Sequence, residues 1–227
     1  MIGIALTGWL AKDAHIPFPL SLSAIGAAKG LSTAGLGGLA FVLLLIGAVS
    51  KAGSMPFHSW IPDAAVDAPL PFMAFLPAAF EKLLGIYLLA RISLDFFKIR
   101  PGSGLSVLLM AVGAVTIVLA VLMALVQKDL KRLLSYHAVS QVGYMILGIG
   151  TAVPFGIAGG LFHMINHAMY KSGLFLSAGS VEHRAGTTCR SQINGFLHVI
   201  SDRRRVFYGY RILGERFHNG NNVGLLY

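Results

Sequence analysis

His163, His167 and Lys171 stand four residues apart inside Phe155 to Val181, a run otherwise apolar or small enough to cross a bilayer. At helical pitch, positions i, i+4 and i+8 drift slowly around the axis, so the three side chains form one polar stripe on an apolar rod. Ionisable groups at membrane depth are expensive, and the default reading of such a stripe is proton or ion movement. Two other chemistries compete with it. A histidine pair at i and i+4 can ligate a metal or contribute to a haem site, with His58 or His137 as the second axial ligand from another helix. Met164, Ile165 and Asn166 lie between the two histidines, so the zinc-protease pattern His-Glu-x-x-His is absent. Structural hydrogen bonding is the third reading.

Further chemistry-bearing residues recur upstream. Lys51 closes an apolar run and is followed by Gly53, Ser54, Met55 and Pro56, which stop or break a helix. The spacing predicts that the helix resumes through Phe57 to Trp60, before Pro62. The result is a span interrupted at membrane depth, a device that exposes backbone groups to ions. Charging a lysine there costs roughly 2.5 to 3.5 kcal/mol on insertion scales, so Lys51 can load or release a proton as a carboxylate approaches or leaves. A lysine snorkelling from a helix end is the alternative. Glu81 and Lys82 follow in the next apolar run, one turn beyond the helix-disrupting Pro77. Adjacent residues do not face each other on a helix, so each needs a partner from elsewhere, and Lys51 suits Glu81. A structural ion pair fits this site as well as a transport role. In Gln127 to Tyr144, Lys131, His137, Ser140 and Gln141 could line a water chain, while Lys128 and Arg132 read as interfacial. A solvated helix start explains the same charges.

These residues must be positioned by membrane helices. The chain has 227 residues, is 56% hydrophobic and 12% charged, with a mean hydropathy of +0.72, outside the range of ordinary soluble domains. With roughly 20 apolar residues needed per span, five candidates emerge: Ala34 to Gly53, Leu70 to Ala90, Gly104 to Val126, Ala138 to Val153 with a start nearer Lys131, and Phe155 to Val181. No period-2 alternation is sustained, which argues against strands. The 27 glycines suit close helix packing in lipid. Residues 1–33 read as the end of a helix plus a loop with one short interfacial helix, 34–183 as the transmembrane domain, and 184–227 as a basic polar tail. Seven of the 18 lysines and arginines fall in that tail, where they suit anionic headgroups. No nucleic-acid motif accompanies them. The single cysteine, Cys189, excludes an internal disulfide.

Three ordered blocks resemble the antiporter-like subunits of respiratory complex I. They are Lys51-Ala-Gly-Ser-Met-Pro56-Phe-His-Ser-Trp60-Ile-Pro-Asp63, then Gln127-Lys-Asp-Leu-Lys131-Arg-Leu-Leu-Ser-Tyr136 with Ser140-Gln141-Val-Gly143-Tyr144, and Phe162-His163-Met-Ile-Asn-His167-Ala-Met-Tyr-Lys171. The same pattern runs through multisubunit sodium/proton antiporters and membrane-bound hydrogenases, and it covers about Ala34 to Gly186. The resemblance implies an all-α, polytopic, inverted-repeat fold of about five transmembrane helices here, one of them broken near Lys51. A central row of lysines, histidines and glutamates would cross it. Lys51 would be the proton-switching lysine, Lys131 the link between half-channels, and His163, His167 and Lys171 the continuing hydrated path; Glu81, Lys82 and His137, read from the apolar runs themselves, complete the expected proton path. Where many relatives carry a histidine after the first lysine, this chain has Pro77. The family's glutamate partner for that lysine lies on an earlier helix, and its second broken helix follows the last span found here. The expectation is therefore a fragment whose tail after Gly186 is not native.

The function expected is a proton-translocating integral membrane subunit of an NADH:quinone oxidoreductase-like or related redox-driven complex. A sodium/proton antiporter subunit is the first alternative, a haem-bearing electron carrier the second, and a membrane anchor without conduction the third. No redox centre or other cofactor is expected in the chain. Its expected partners are other membrane subunits, the lipid bilayer, and protons or sodium, with no nucleic acid. A bacterial or archaeal plasma membrane is the expected location, with an organelle inner membrane as the alternative.

Overall fold

The computed structural model describes residues 1–17, 20–27 and 30–189. Expectations about the basic tail from residue 190 onward lie outside these residues. Helices dominate the described chain: α1 (Ile2–Asp13), α2 (Leu22–Ala27), α3 (Leu36–Ala52), α4 (Trp60–Asp67), α5 (Leu70–Phe75), α6 (Glu81–Ala90), α7 (Gly104–Leu125), α8 (Leu130–Gly150) and α9 (Pro154–Ala185). π-helical turns at Leu76–Phe80 and Arg91–Phe96 join α5 to α6 and extend α6, so that Leu70–Phe96 is one continuous rod. A helix coincides with each of the five expected spans. By length and composition Leu70–Phe96 and Gly104–Leu125 can each cross a membrane, and α3 is apolar over 17 residues. With 21 and 32 residues, α8 and α9 exceed the roughly 20 needed, their apolar character diluted by the polar side chains of interest.

Local chemistry sets the helix ends. α3 stops at Gly53, whose φ of 73° is left-handed and whose amide bonds back to Val49 and Ser50, the glycine C-cap pattern. Any Cβ at Gly53 would collide with Ile61. The chain turns through residues 54–59 and resumes as α4 at Trp60. This corrects the expected restart through Phe57 before Pro62: the proline lies inside α4, in its first turn, where a missing N–H costs nothing because those amides have no intrahelical partner. α8 begins at Leu130, with the Asp129 carboxylate accepting from the Arg132 amide at 3.0 Å. Ser103 caps α7 in the same way through Ser106.

Small residues bring the helices together. α7 and α8 pack along an extensive contact. They cross at Gly113 and Gly143, where a Cβ on either would lie 2.7 Å from the other's carbonyl oxygen. α6 approaches α3 at Gly85, where a Cβ would lie 2.7 Å from the Ala52 nitrogen. Two apolar clusters result. One gathers Phe41, Leu45, Ile86, Leu89, Met145 and Ile146, and the other Ile61, Met73, Ala78, Val139 and Phe175. On the Leu70–Phe96 rod, Glu81 and Lys82 fall between the stretches given to each cluster. On α9, His167 and Lys171 fall between Met164 and Phe175. The fold thus holds a polar layer between two apolar ones.

Candidate functional site

Lys51, in the last turn of α3, places its ammonium 3.6 Å from Glu81 Oε1 at the start of α6. The pair is lopsided. The lysine side chain is 51% exposed and the carboxylate 9%, and Glu81 Oε2 is buried without a hydrogen-bond partner among the described residues. Gly85, one turn beyond Glu81, permits this approach because its missing side chain lets α6 lie directly on Ala52.

Lys82 turns the other way and is buried. Its Nζ donates to the Pro77 carbonyl at 2.5 Å. Pro77 has no N–H and disfavours an uninterrupted α-helix. The rod answers with the π turn at Leu76–Phe80, in which the Glu81 amide reaches back five residues to Leu76. Ser172 of α9 donates to the Ala74 carbonyl at 2.9 Å, tying the two helices beside that turn.

His167 and Lys171 are fully buried on α9. Lys171 Nζ lies 3.1 Å from His137 Nδ1 of α8 and 5.8 Å from the Phe175 ring centroid, within cation–π range. Neither ring nitrogen of His167 has a partner among the described residues, nor does His163 Nε2. The two rings sit 6.3 Å apart, and Tyr144 and Tyr170 pack edge-on against His163 and His167 at 6.0 and 5.3 Å. Lys82 is within electrostatic reach of both His167 and Lys171. Among the described residues no three His, Cys, Asp or Glu side chains converge as metal ligands.

Seven of the eight expected residues assemble into two groups on adjoining helices. Lys51 and Glu81 form one; Lys82, His137, His163, His167 and Lys171 form the other, and the neighbours Glu81 and Lys82 join them. Lys131 is buried in the first turn of α8, where its carbonyl accepts from Ser135. Ser140 Oγ turns back to the His137 carbonyl at 2.8 Å, and Gln141 accepts from the Tyr170 hydroxyl at 3.1 Å. Sequence reasoning missed a buried contact under the helix break: Thr116 of α7 donates to Val112 O, so its oxygen receives the Ser54 hydroxyl at 2.7 Å. The signal was available, since a hydroxyl inside an apolar span must find a partner.

The model of the family described as NADH:quinone oxidoreductase/Mrp antiporter, TM, matches residues 27–201. The chain is 40% identical over 157 residues to F(420)H(2) dehydrogenase subunit L of Methanosarcina mazei, covering 68% of this chain and 23% of that protein. It is 37% identical over 175 residues to a Na(+)/H(+) antiporter subunit of Alkalihalophilus pseudofirmus, covering 71% and 21%. The structure of an archaeal membrane-bound sulfane sulfur reductase contains a chain that superposes with a TM-score of 0.68 at 29% identity, covering 84% of this chain and 38% of that one. The chain thus spans about a fifth of the length of the curated relatives it matches, and its architecture is the polytopic helical fold of antiporter-like membrane subunits, with the break beside Lys51.

Proposed function

Because this chain belongs to the NADH:quinone oxidoreductase/Mrp antiporter transmembrane family, we propose that it carries protons through a membrane as one subunit of a larger redox-driven complex. The observation supporting this reading is the run of ionisable groups from Lys51 through Glu81 and Lys82 to His167, Lys171 and His137, buried for most of its length between two apolar clusters. A proton on Lys51 is held by Glu81; when the pair separates, the ammonium loses its counter-charge and releases the proton. Lys82 and Lys171 are like charges within reach of each other, so protonation of one opposes protonation of the other, and a proton arriving at Lys82 displaces one from Lys171 toward His137. The two tyrosines, Gln141 and the unpartnered histidine nitrogens provide donors and acceptors along the way.

Sodium exchange is the second reading, favoured by the likeness to a sodium/proton antiporter. The driver in the main reading is redox chemistry in partner subunits, and the membrane is a prokaryotic plasma membrane. Proton pumping by the assembled complex in proteoliposomes, followed with a pH-sensitive dye, tests the proposal. Lys51→Ala and Lys171→Ala each abolish pumping with assembly intact; unchanged pumping in both sinks the reading. A sodium requirement that survives in proton-impermeable vesicles would select the antiporter alternative.

A further inference from the structure

Ser172 follows Lys171 directly on α9, and its hydroxyl has two carbonyls in reach. One belongs to its own helix, Ala168 O at 2.8 Å; the other is Ala74 O of α5, at 2.9 Å. A serine hydroxyl carries a single proton, so the two acceptors compete for it at nearly equal distance. Given to Ala168, the proton closes a bond within α9, the i to i−4 back-bond by which helical serines satisfy themselves. Given to Ala74, it ties α9 to the Leu70–Phe96 rod. The tie can therefore loosen without stranding the hydroxyl in apolar surroundings, where an unmade hydrogen bond is costly.

Ala74 stands just before the π turn at Leu76–Phe80. In that turn Pro77 O receives Lys82 Nζ, and Lys82 is within electrostatic reach of Lys171. The rod is held separately on either side of the turn. α5 packs against α9, where Phe175 shares an apolar cluster with Leu70, Met73 and Ala74 and a Cβ on Gly179 would lie 3.3 Å from Leu70 Cβ. α6 packs against α3, at Gly85 and Ala52. A change in the backbone spacing of Lys82 and Lys171 is thus taken up between these anchors, beside the contact that Ser172 makes. We propose that Ser172 is a positioning residue of the proton route: its hydroxyl, shared between Ala74 O and Ala168 O, sets how closely the helix of Lys171 approaches the turn that seats Lys82. The closer the two lysines lie, the more strongly a proton on one opposes a proton on the other. The hydroxyl keeps its own proton throughout and acts only through that spacing. The inference rests on the proton-carrying function proposed above.

The test uses the assembled complex in proteoliposomes, with redox turnover and protons delivered per turnover measured on the same vesicles. In Ser172→Ala turnover is retained and protons per turnover fall roughly threefold, the scale of one interhelical hydrogen bond in a membrane protein. Ser172→Thr keeps the hydroxyl and restores the ratio. Ser172→Cys, close in size but a weak donor, behaves as the alanine variant does. An unaltered ratio in Ser172→Ala overturns the inference. So does a fall of turnover and pumping in step with lost assembly, which would make the contact an anchor only. Restoration by cysteine but not by threonine would overturn it in favour of side-chain fit. If Lys51→Ala and Lys171→Ala leave pumping unchanged, the route itself fails; if both abolish pumping and Ser172→Ala leaves the ratio unaltered, only the role of Ser172 fails.

Discussion

The two groups of ionisable residues treat charge in opposite ways. At the helix break, Lys51 meets a carboxylate and remains half open, so its charge is compensated twice, by Glu81 and by its exposure. On α9, His167 and Lys171 are fully buried among bases, with a histidine and an aromatic ring as the contacts of Lys171. The first arrangement holds a proton by attraction. The second tolerates a proton only in passing, because among the described residues no carboxylate contacts His167 or Lys171 to retain it. A conductor needs both, since a path made only of ion pairs would trap what it carries.

The comparison breaks most completely if the helices that create the first pair are pushed apart. Gly85→Leu forces a side chain against Ala52, and overpacking of this kind costs about 1–3 kcal/mol. The expected outcome is reduced assembly, read by size-exclusion chromatography, together with loss of pumping; normal assembly with normal pumping would show that the close approach is dispensable. Glu81→Gln keeps the shape and removes the charge. Pumping falls roughly tenfold, the equivalent of about 1.4 kcal/mol, while assembly is retained. In the same variant the dependence of pumping on ionic strength weakens, because a half-exposed pair is screened by salt and a neutral amide is not.

A third variant sharpens the contrast from the other side. His167→Phe replaces a buried ring, both of whose nitrogens lack a partner among the described residues, by an apolar ring of similar size. Leaving buried polar atoms unsatisfied costs about 1–3 kcal/mol, so the variant unfolds at higher temperature than the wild type while pumping is lost. A destabilised variant would mean that the nitrogens are satisfied in the assembled protein and that the ring is structural. The smallest expected effect is at the break itself. Thr116→Val removes the acceptor for Ser54 and costs about 1 kcal/mol, with pumping lowered through Lys51, and Thr116→Ser restores both.

Much of this arrangement was legible in the residues. The apolar runs located five helices, because each side chain's cost of transfer depends little on its neighbours. The family blocks held Lys51, Lys131, His163, His167 and Lys171, while Glu81, Lys82 and His137 stood out as polar residues inside apolar runs, and the pairing of Lys51 with Glu81 followed from a charge that needed a partner. The hidden parts depend on how neighbouring segments pack. Pro62 looked like a helix breaker until the start of α4 placed it where a proline is harmless. Pro77 announced a disturbance in its helix, but only the packed rod shows a π turn with the Lys82 ammonium on its carbonyl. The Ser54–Thr116 contact joins residues 62 positions apart, a distance over which spacing carries no information about contact.

The π turn at Leu76–Phe80 also sets an angular phase. An α-helix rotates by about 100° per residue, and a turn that closes over five residues absorbs an extra one without the usual advance. Residues before it and after it therefore point in directions that one uninterrupted helix could not combine: Ala74 toward Ser172, Glu81 toward Lys51, Lys82 back along its own axis. The turn works as a vernier in the middle of the rod: the same residues wound there as plain α-helix would rotate the whole of α6 by about 100° and aim Glu81 and Lys82 at the wrong neighbours.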